Sequence, residues 1–146
     1  MPDSPRDVLK RYHQAMIDMN ADDLADLYAA DAVHAFPFFA PGRPAEYRGR
    51  EEVRAGYREA WAGRPVRLEE IREVVVYPTD DPELVVGEWT AVGTVSATGG
   101  PFALSGLLAL RVRDGLIVEC RDYMDSLNTA RQLGRLPALA AALSAD

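Results

Sequence analysis

The hydrophobic pattern of the chain changes at Pro65, and this change limits the folds that are open to it. Before Pro65, apolar residues such as Val8 and Tyr12 recur at helical spacing and predict amphipathic helices. After Pro65, apolar and polar residues alternate, and Asp114-Gly115 is a two-residue hairpin signal. Tight turns join antiparallel strands. The sequence therefore predicts an α+β domain in which N-terminal helices cover one face of an antiparallel sheet.

Local signals predict where the helices begin. Ser4 and Asp7 form a capping box, which predicts the start of a first helix. Asn20 is the predicted cap of a second helix whose apolar face includes Tyr28. Glu51 favours the start of a third helix, because negative charge suits a helix N-terminus.

The hydrophobic pattern of the second half of the chain predicts mainly strands, followed by one last helix. Asp125 or Ser126 can cap a last helix that ends near Gly134. We expect one domain over residues 1–134 and a C-terminal tail over 135–146, which adds one turn or frays. The predicted strands cover residues 32–36, 66–77, 84–98, 102–113 and 116–124.

Net charge and cysteine content limit the classes of molecule that the chain is expected to bind. The chain has 16 basic and 23 acidic residues, a net charge of -7, which argues against nucleic-acid binding and against anionic membrane surfaces. A lone cysteine, Cys120, excludes an intrachain disulfide and a thiolate metal cluster. No secretory signal and no run long enough to span a bilayer is evident, so we expect a cytoplasmic protein whose partner is a small molecule.

The last predicted strand carries one acidic residue on an otherwise apolar face. Val118, Cys120 and Met124 share that face with Asp122. If the face points to the core, burial disfavours the charged form of Asp122, and the carboxyl becomes a proton donor or acceptor near neutral pH. The alternative is that Asp122 is solvated at the strand end or paired with a structural arginine.

His34 is the second candidate for proton transfer. It shares a strand face with Phe36, where an imidazole can relay a proton or can simply be a hydrogen-bonded core histidine. His13 lies off the apolar stripe of its helix, so we expect it to be solvated. Seven further side chains could shape a substrate pocket or belong to an ordinary core: Tyr12, Tyr57, Trp61, Trp89, Leu104, Cys120 and Met124.

Several cofactor and nucleophile motifs are missing from the sequence. It contains no glycine-rich phosphate loop, no dinucleotide fingerprint and no nucleophile elbow. Its two histidines have no neighbouring acidic ligand motif that would indicate a metal site. Any chemistry is therefore expected to be independent of cofactors.

Four segments carry a family resemblance in the same order along the chain: 23–33 (DLADLYAADAV), 49–53 (GREEV), 115–125 (GLIVECRDYMD) and 132–134 (QLG). With them the chain resembles the nuclear transport factor 2-like superfamily, in particular its SnoaL-like polyketide cyclases and limonene epoxide hydrolases. The resemblance implies a cone-shaped, curved antiparallel sheet packed on N-terminal helices, with a central pocket. It also implies a homodimer that pairs through the outer face of the sheet.

The resemblance also bears on the site residues. Residues 121–125 resemble an epoxide hydrolase motif whose first aspartate is an active-site acid/base, and that aspartate corresponds to Asp122. The arginine and aspartate that complete the hydrolase triad correspond to Trp89 and Ala91, so this triad is incomplete here. Asp125 is a competing match to an aspartate of SnoaL-like proteins. The alternation favours Asp122, because Asp125 falls on the opposite face and can be explained as a helix cap.

The resemblance implies acid/base chemistry, such as isomerisation, aldol-type cyclisation or hydration, on a small hydrophobic oxygenated molecule. In this hypothesis Asp122 transfers a proton and His34 assists or orients. Two alternatives stay open: a binding module that has kept the pocket without the chemistry, and an accessory dimeric domain whose pocket is filled by its own side chains.

Overall fold

Three of the helices begin where a capping side chain accepts a hydrogen bond from a backbone amide of the first turn. A computed structural model describes residues 1–145, and of residue 73 the backbone only. The capping box of Ser4 and Asp7 is formed, and the Asn20 and Asp125 side chains each accept a hydrogen bond from the first turn that follows. These observations confirm the predicted helix starts. The helices are α1 (Pro5–Asp18), α2 (Ala21–Ala25), α3 (Arg50–Ala60), α4 (Ser126–Gln132) and α5 (Leu136–Ser144).

Six strands form one curled sheet that does not close on itself. Its order is β2-β1-β6-β5-β4-β3. All neighbouring strands are antiparallel except β1 and β6, which are parallel. The predicted α+β class is confirmed, with this one parallel pair as the exception. The strands are β1 (Tyr28–Ala35), β2 (Glu46–Arg48), β3 (Val66–Tyr77), β4 (Leu84–Val95), β5 (Pro101–Arg113) and β6 (Leu116–Met124).

One tight turn and one close backbone approach are visible between neighbouring strands of the sheet. Asp114 and Gly115 both have positive φ, 54° and 79°, as the predicted two-residue hairpin requires. Between β3 and β4 the register shifts next to Leu68, and a Cβ at Gly93 would overlap the carbonyl oxygen of Arg67. Glycine at this position lets the two strands approach closely where the sheet bends.

Two parts of the chain differ from the predictions. Helix α2 ends at Ala25, and Tyr28 already begins β1, so the predicted helical face does not extend to Tyr28. The apolar spacing that suggested a longer helix arises because Tyr28 is buried as a strand residue. The tail forms the nine-residue helix α5 rather than a single turn, although none of its side chains is buried.

The core lies between the inner face of the sheet and helices α1 and α3. Alternate residues of β4, β5 and β6 point to this side, among them Trp89, Leu108 and Cys120, and all three are buried. Val53 and Tyr57 of α3 are buried on the same side. Within residues 1–145, none of the helices is long and apolar enough to cross a lipid bilayer.

Candidate active site

Asp122 lies on the inner face of the sheet. Strand β6 alternates its side chains, so Asp122 points inward together with Cys120, while Arg121 is exposed on the outer face. Its register partner on β5 is Leu108, which is fully buried. Only 3% of Asp122 is exposed, and no arginine is among its hydrogen-bonding partners. The carboxyl group is therefore neither solvated nor held by a structural arginine.

One oxygen of Asp122 is held by two other buried side chains. Its Oδ2 accepts a hydrogen bond from the Tyr57 hydroxyl at 2.9 Å and lies 3.1 Å from His34 Nε2. The Tyr57 hydroxyl is also 3.1 Å from His34 Nε2. On the other side of the imidazole, the Tyr28 hydroxyl is 2.6 Å from Nδ1. The parallel pairing of β1 with β6 sets His34 beside Cys120, and this register brings the imidazole to a carboxylate 88 residues away.

The protonation states of the two tyrosines define the direction of these hydrogen bonds. Burial raises the pKa of Tyr28 well above its usual value, and burial together with the Asp122 charge does the same for Tyr57. Both phenols therefore remain protonated and donate. Because the Tyr28 hydroxyl donates to His34 Nδ1, the ring proton of His34 is assigned to Nε2, which faces Asp122 Oδ2.

The second oxygen of Asp122, Oδ1, is the chemically distinct feature of the site. It is buried and has no hydrogen-bonding partner among the described residues. Asp122 borders a largely apolar cavity of about 220 Å³, hereafter the inner cavity. The Trp89 indole borders the same cavity, and its Nε1–H likewise has no partner among the described residues. A buried acceptor and a buried donor without partners are costly unless a ligand or water satisfies them.

Comparison with known proteins identifies the family. Residues 9–120, more than half of the chain, match the SnoaL-like domain. The chain belongs to the SnoaL-like domain family. An uncharacterized PhzA/B-like protein of Pseudomonas aeruginosa is 33% identical over 115 residues, which are 79% of this chain and 79% of that relative.

Solved structures share the fold of this SnoaL-like chain. A proposed isomerase from Bacillus subtilis superposes with a TM-score of 0.78 at 25% identity, covering 88% of this chain and 91% of its own. A Catenulispora acidiphila protein with a ketosteroid isomerase-like fold has a TM-score of 0.70 at 21% identity, covering 90% of this chain and 95% of its own. The predicted nuclear transport factor 2-like fold is thereby confirmed.

Most of the side chains predicted to shape a pocket in this SnoaL-like domain border the inner cavity. They are Tyr12, Tyr57, Trp61, Trp89, Leu104 and Met124. Two predicted site residues are not part of its lining. His34 is fully buried and lies against Asp122, and Cys120 is fully buried next to Tyr28 and Tyr12. Burial raises the pKa of the Cys120 thiol, which keeps it protonated.

His13 differs from its prediction. It is only 8% exposed, and its ring centroid is 6.3 Å from that of Trp89. Burial lowers its pKa to about 4, so it is neutral at physiological pH. Helix α1 buries a wider surface than the stripe predicted from Val8 and Tyr12. Leu9 and His13 form a second buried row on α1, and the apolar Leu9, four residues before His13, was the sequence signal for it.

Several residues around the site were not predicted. Tyr28 was assigned to a helix, although its even spacing from His34 on one strand would have indicated a shared face. Thr129, Leu133 and Arg135 border the inner cavity from the C-terminal region. Asp125, the competing acid, is exposed and caps α4 by accepting a hydrogen bond from the backbone N–H of Asn128.

Among residues 1–145, no group of three or more His, Cys, Asp or Glu side chains is arranged to hold a metal ion. The polar side chains that border the inner cavity include those of Tyr12, Tyr57, Trp89, Asp122, Thr129 and Arg135.

Proposed function

We propose that this SnoaL-like chain is an enzyme that performs acid/base chemistry on a small hydrophobic oxygenated molecule in the inner cavity. The observation that carries the proposal is the free Oδ1 of Asp122, buried at the edge of an apolar cavity while its Oδ2 is fixed by Tyr57 and His34. A carboxylate whose one oxygen is held by hydrogen bonds and whose other oxygen has no partner within the described residues is suited to take up and return a proton.

The proposed reaction begins at a carbon next to a ligand carbonyl. Asp122 Oδ1 takes a proton from that carbon, leaving an enolate and a neutral carboxylic acid. In an isomerisation the same proton returns to another carbon of the enolate. In an aldol-type ring closure the enolate carbon attacks a second carbonyl of the same molecule, and the proton goes to the new alkoxide. The Trp89 Nε1–H is the candidate donor to the enolate oxygen.

Tyr57 and His34 serve this step without touching the reacting carbon. Their hydrogen bonds to Oδ2 hold the carboxyl group in one orientation. Tyr28 in turn fixes the tautomer of His34. All three are positioning residues in this proposal, and Asp122 is the residue that exchanges the proton.

A proton-exchange experiment tests the role of Asp122. The probe is 2-tetralone, an enolisable bicyclic ketone, and proton NMR in D₂O follows the loss of its α-proton signal relative to buffer. The wild-type chain should accelerate the exchange, and Asp122→Asn should lower that acceleration at least about 100-fold.

Asp125→Asn is the matched control for this experiment. Asparagine caps a helix as well as aspartate does, so α4 is retained, and exchange should continue at the wild-type rate. Exchange that persists in Asp122→Asn, or that is lost in Asp125→Asn, would contradict the assignment of Asp122 as the acid/base residue.

A binding module without turnover is the second candidate function. The largely apolar lining of the inner cavity favours it. Buried Ala91 also stands where the hydrolases that the chain resembles carry an acid. In that case 2-tetralone would bind to the wild-type chain, but its α-protons would exchange no faster than in buffer.

We further propose that two copies of the chain pair through the outer face of the sheet. This face holds a groove of about 860 Å³ bordered by large apolar side chains: Phe38, Phe39, Val75, Leu107, Tyr123 and Leu127. Exposed Glu88 and Arg121 lie on the same face with opposite charges. A second copy related by two-fold symmetry can match such a self-complementary surface.

Sedimentation equilibrium tests this pairing. The wild-type chain should sediment as a dimer, and Leu107→Glu should shift it toward the monomer, because a charge would be buried at the interface. Leu143→Glu, a substitution of an exposed residue of α5, should leave the dimer intact. A monomeric wild-type chain would reject the proposal.

A further inference from the structure

A second cavity adjoins the inner cavity. This mouth groove has a volume of about 530 Å³ and lies between α4, α5 and the loop that contains Ala40 and Arg43. Six residues border both spaces: Ala60, Leu104, Met124, Thr129, Leu133 and Arg135. A ligand longer than the inner cavity would therefore extend into the mouth groove.

The charge of the mouth groove is opposite to that of the whole chain. Arg43 and Arg135 are the charged residues that border it among the described part of the chain, and no acidic residue does. The chain as a whole has a net charge of -7. Two cations therefore face an otherwise apolar groove in an acidic protein.

Neither arginine is neutralised by a carboxylate. Many other arginines form ion pairs, and Arg54 alone pairs with three acidic side chains. Within residues 1–145, Arg43 and Arg135 form no ion pair with an acidic side chain. Both guanidinium groups are thus available to an anion from outside the chain.

The Arg43 side chain is held in place by neutral contacts. Its guanidinium donates to the Phe38 carbonyl oxygen at 2.8 Å and to the Ser126 hydroxyl at 3.4 Å, and it lies 4.5 Å from the centre of the Phe36 ring. Its Nε is buried and has no partner among the described residues. A cation fixed by neutral neighbours keeps its attraction for an anion and loses little side-chain entropy on binding.

We propose that the mouth groove binds the carboxylate of an amphipathic ligand whose apolar, oxygenated part occupies the inner cavity. Arg43 and Arg135 bind the carboxylate. The apolar side chains shared by the two cavities contact the part of the ligand that lies between its carboxylate and its oxygenated end. The inference rests on the proposed function only in taking the inner cavity as the ligand site. It names the substrate class as a hydrophobic carboxylic acid.

Intrinsic fluorescence gives a direct test, because both tryptophans of the chain, Trp61 and Trp89, border the inner cavity. The probes are octanoate and 1-octanol, which share a chain length and differ in charge at pH 7. Octanoate should bind at least about tenfold more tightly than octanol, since charge-assisted hydrogen bonds to arginine are added. Raising the NaCl concentration should weaken the binding of octanoate and leave the binding of octanol unchanged.

Matched variants locate the effect. Each of Arg43→Gln and Arg135→Gln should lose part of the preference for octanoate, and the double variant should bind both probes equally. Octanol binding then reports that the cavity is still folded. Arg131→Gln is the control, because Arg131 is an exposed arginine of α4 that borders neither cavity. It should keep the wild-type preference.

The outcomes separate this inference from the proposed function. Equal affinity for both probes in the wild-type chain, or a preference that survives in the double variant, overturns the carboxylate site and leaves the inner cavity as a ligand site. If neither probe changes the tryptophan fluorescence, both the ligand cavity and the carboxylate site are overturned.

Discussion

The two ends of the ligand space are built in opposite ways. The closed end, made of Tyr28, His34, Tyr57 and Asp122, is almost fully buried, and each side chain is hydrogen-bonded to at least one other. The mouth, made of Arg43, Arg135 and helix α5, contains no buried side chain. In the proposed function the closed end holds the residue that exchanges the proton, while the mouth selects ligands at little cost to the fold.

The energetic consequence of this difference can be tested by mutation. A buried network loses more than one interaction when one member is removed, because the remaining polar groups stay buried without partners. An exposed side chain at the mouth can be replaced with little change in the free energy of unfolding. Substitutions at the closed end should therefore lower the free energy of unfolding more than substitutions at the mouth.

The largest expected effect is that of His34→Ala at the closed end. It removes the partner of Tyr28 and one partner of Asp122, so the free energy of unfolding should fall by about 3–5 kcal/mol. Urea denaturation followed by circular dichroism measures the change. Leu143→Ala, on exposed α5, should change it by less than about 0.5 kcal/mol. Similar losses for both variants would remove the distinction between the two ends.

The next effect concerns pH and His13, which packs against Trp89 near the closed end. Its pKa is about 4 in the folded chain and 6.5 in the reference state, so the unfolded chain binds a proton that the folded chain does not. Stability is therefore complete above pH 6.5 and decreases as the pH falls toward 4. Between pH 7 and 5 the free energy of unfolding should fall by about 2 kcal/mol through this group.

Replacement of the imidazole isolates this contribution. His13→Leu keeps a side chain of similar size that cannot be protonated. Between pH 7 and 5 the free energy of unfolding of this variant should therefore fall by about 2 kcal/mol less than that of the wild-type chain. Urea titrations of both proteins at the two pH values measure the difference. Parallel pH profiles would show that His13 is protonated equally in the folded and unfolded chains.

The sequence predicted the closed end only in part, and the reason lies in sheet register. Alternation along β6 was enough to put Asp122 on the inner face, and the structure has it there. The pairing of His34 with Asp122 depends on the parallel register of β1 and β6, which no local pattern encodes. Tyr28 was missed for a related reason, because apolar spacing near Leu24 is compatible with a helix and with the strand that follows.

The two arginines of the mouth were not predicted. Arg43 belongs to a proline-rich loop, where no periodic pattern indicates which way a side chain points. Arg135 precedes a tail that was expected to fray, whereas the tail forms α5 and borders the mouth groove. Local capping signals were reliable, as Ser4 and Asp125 show, because a cap depends on residues three positions apart and not on tertiary packing.

A smaller effect is expected from Tyr28→Phe, which removes one hydroxyl from the closed end. The hydrogen bond to His34 Nδ1 is lost, and the free energy of unfolding should fall by about 1 kcal/mol. Proton exchange into 2-tetralone should also decrease, but less than in Asp122→Asn, since Tyr28 acts through His34. Tyr77→Phe removes a hydroxyl from a partly exposed ring and should change neither quantity. An equal loss of exchange in both variants would contradict a positioning role for Tyr28.

The smallest effect on stability should come from the mouth itself. We propose that the domain ends at Gly134 and that residues 135–146 form a separable tail. Deleting them removes α5, which buries no side chain, so the free energy of unfolding should change by less than about 1 kcal/mol. The deletion also removes Arg135 and the Leu139 wall of the mouth groove, so octanoate should bind more weakly while unfolding stays cooperative. Loss of cooperative unfolding would show instead that the tail is part of the domain and that the mouth is as necessary to the fold as the closed end.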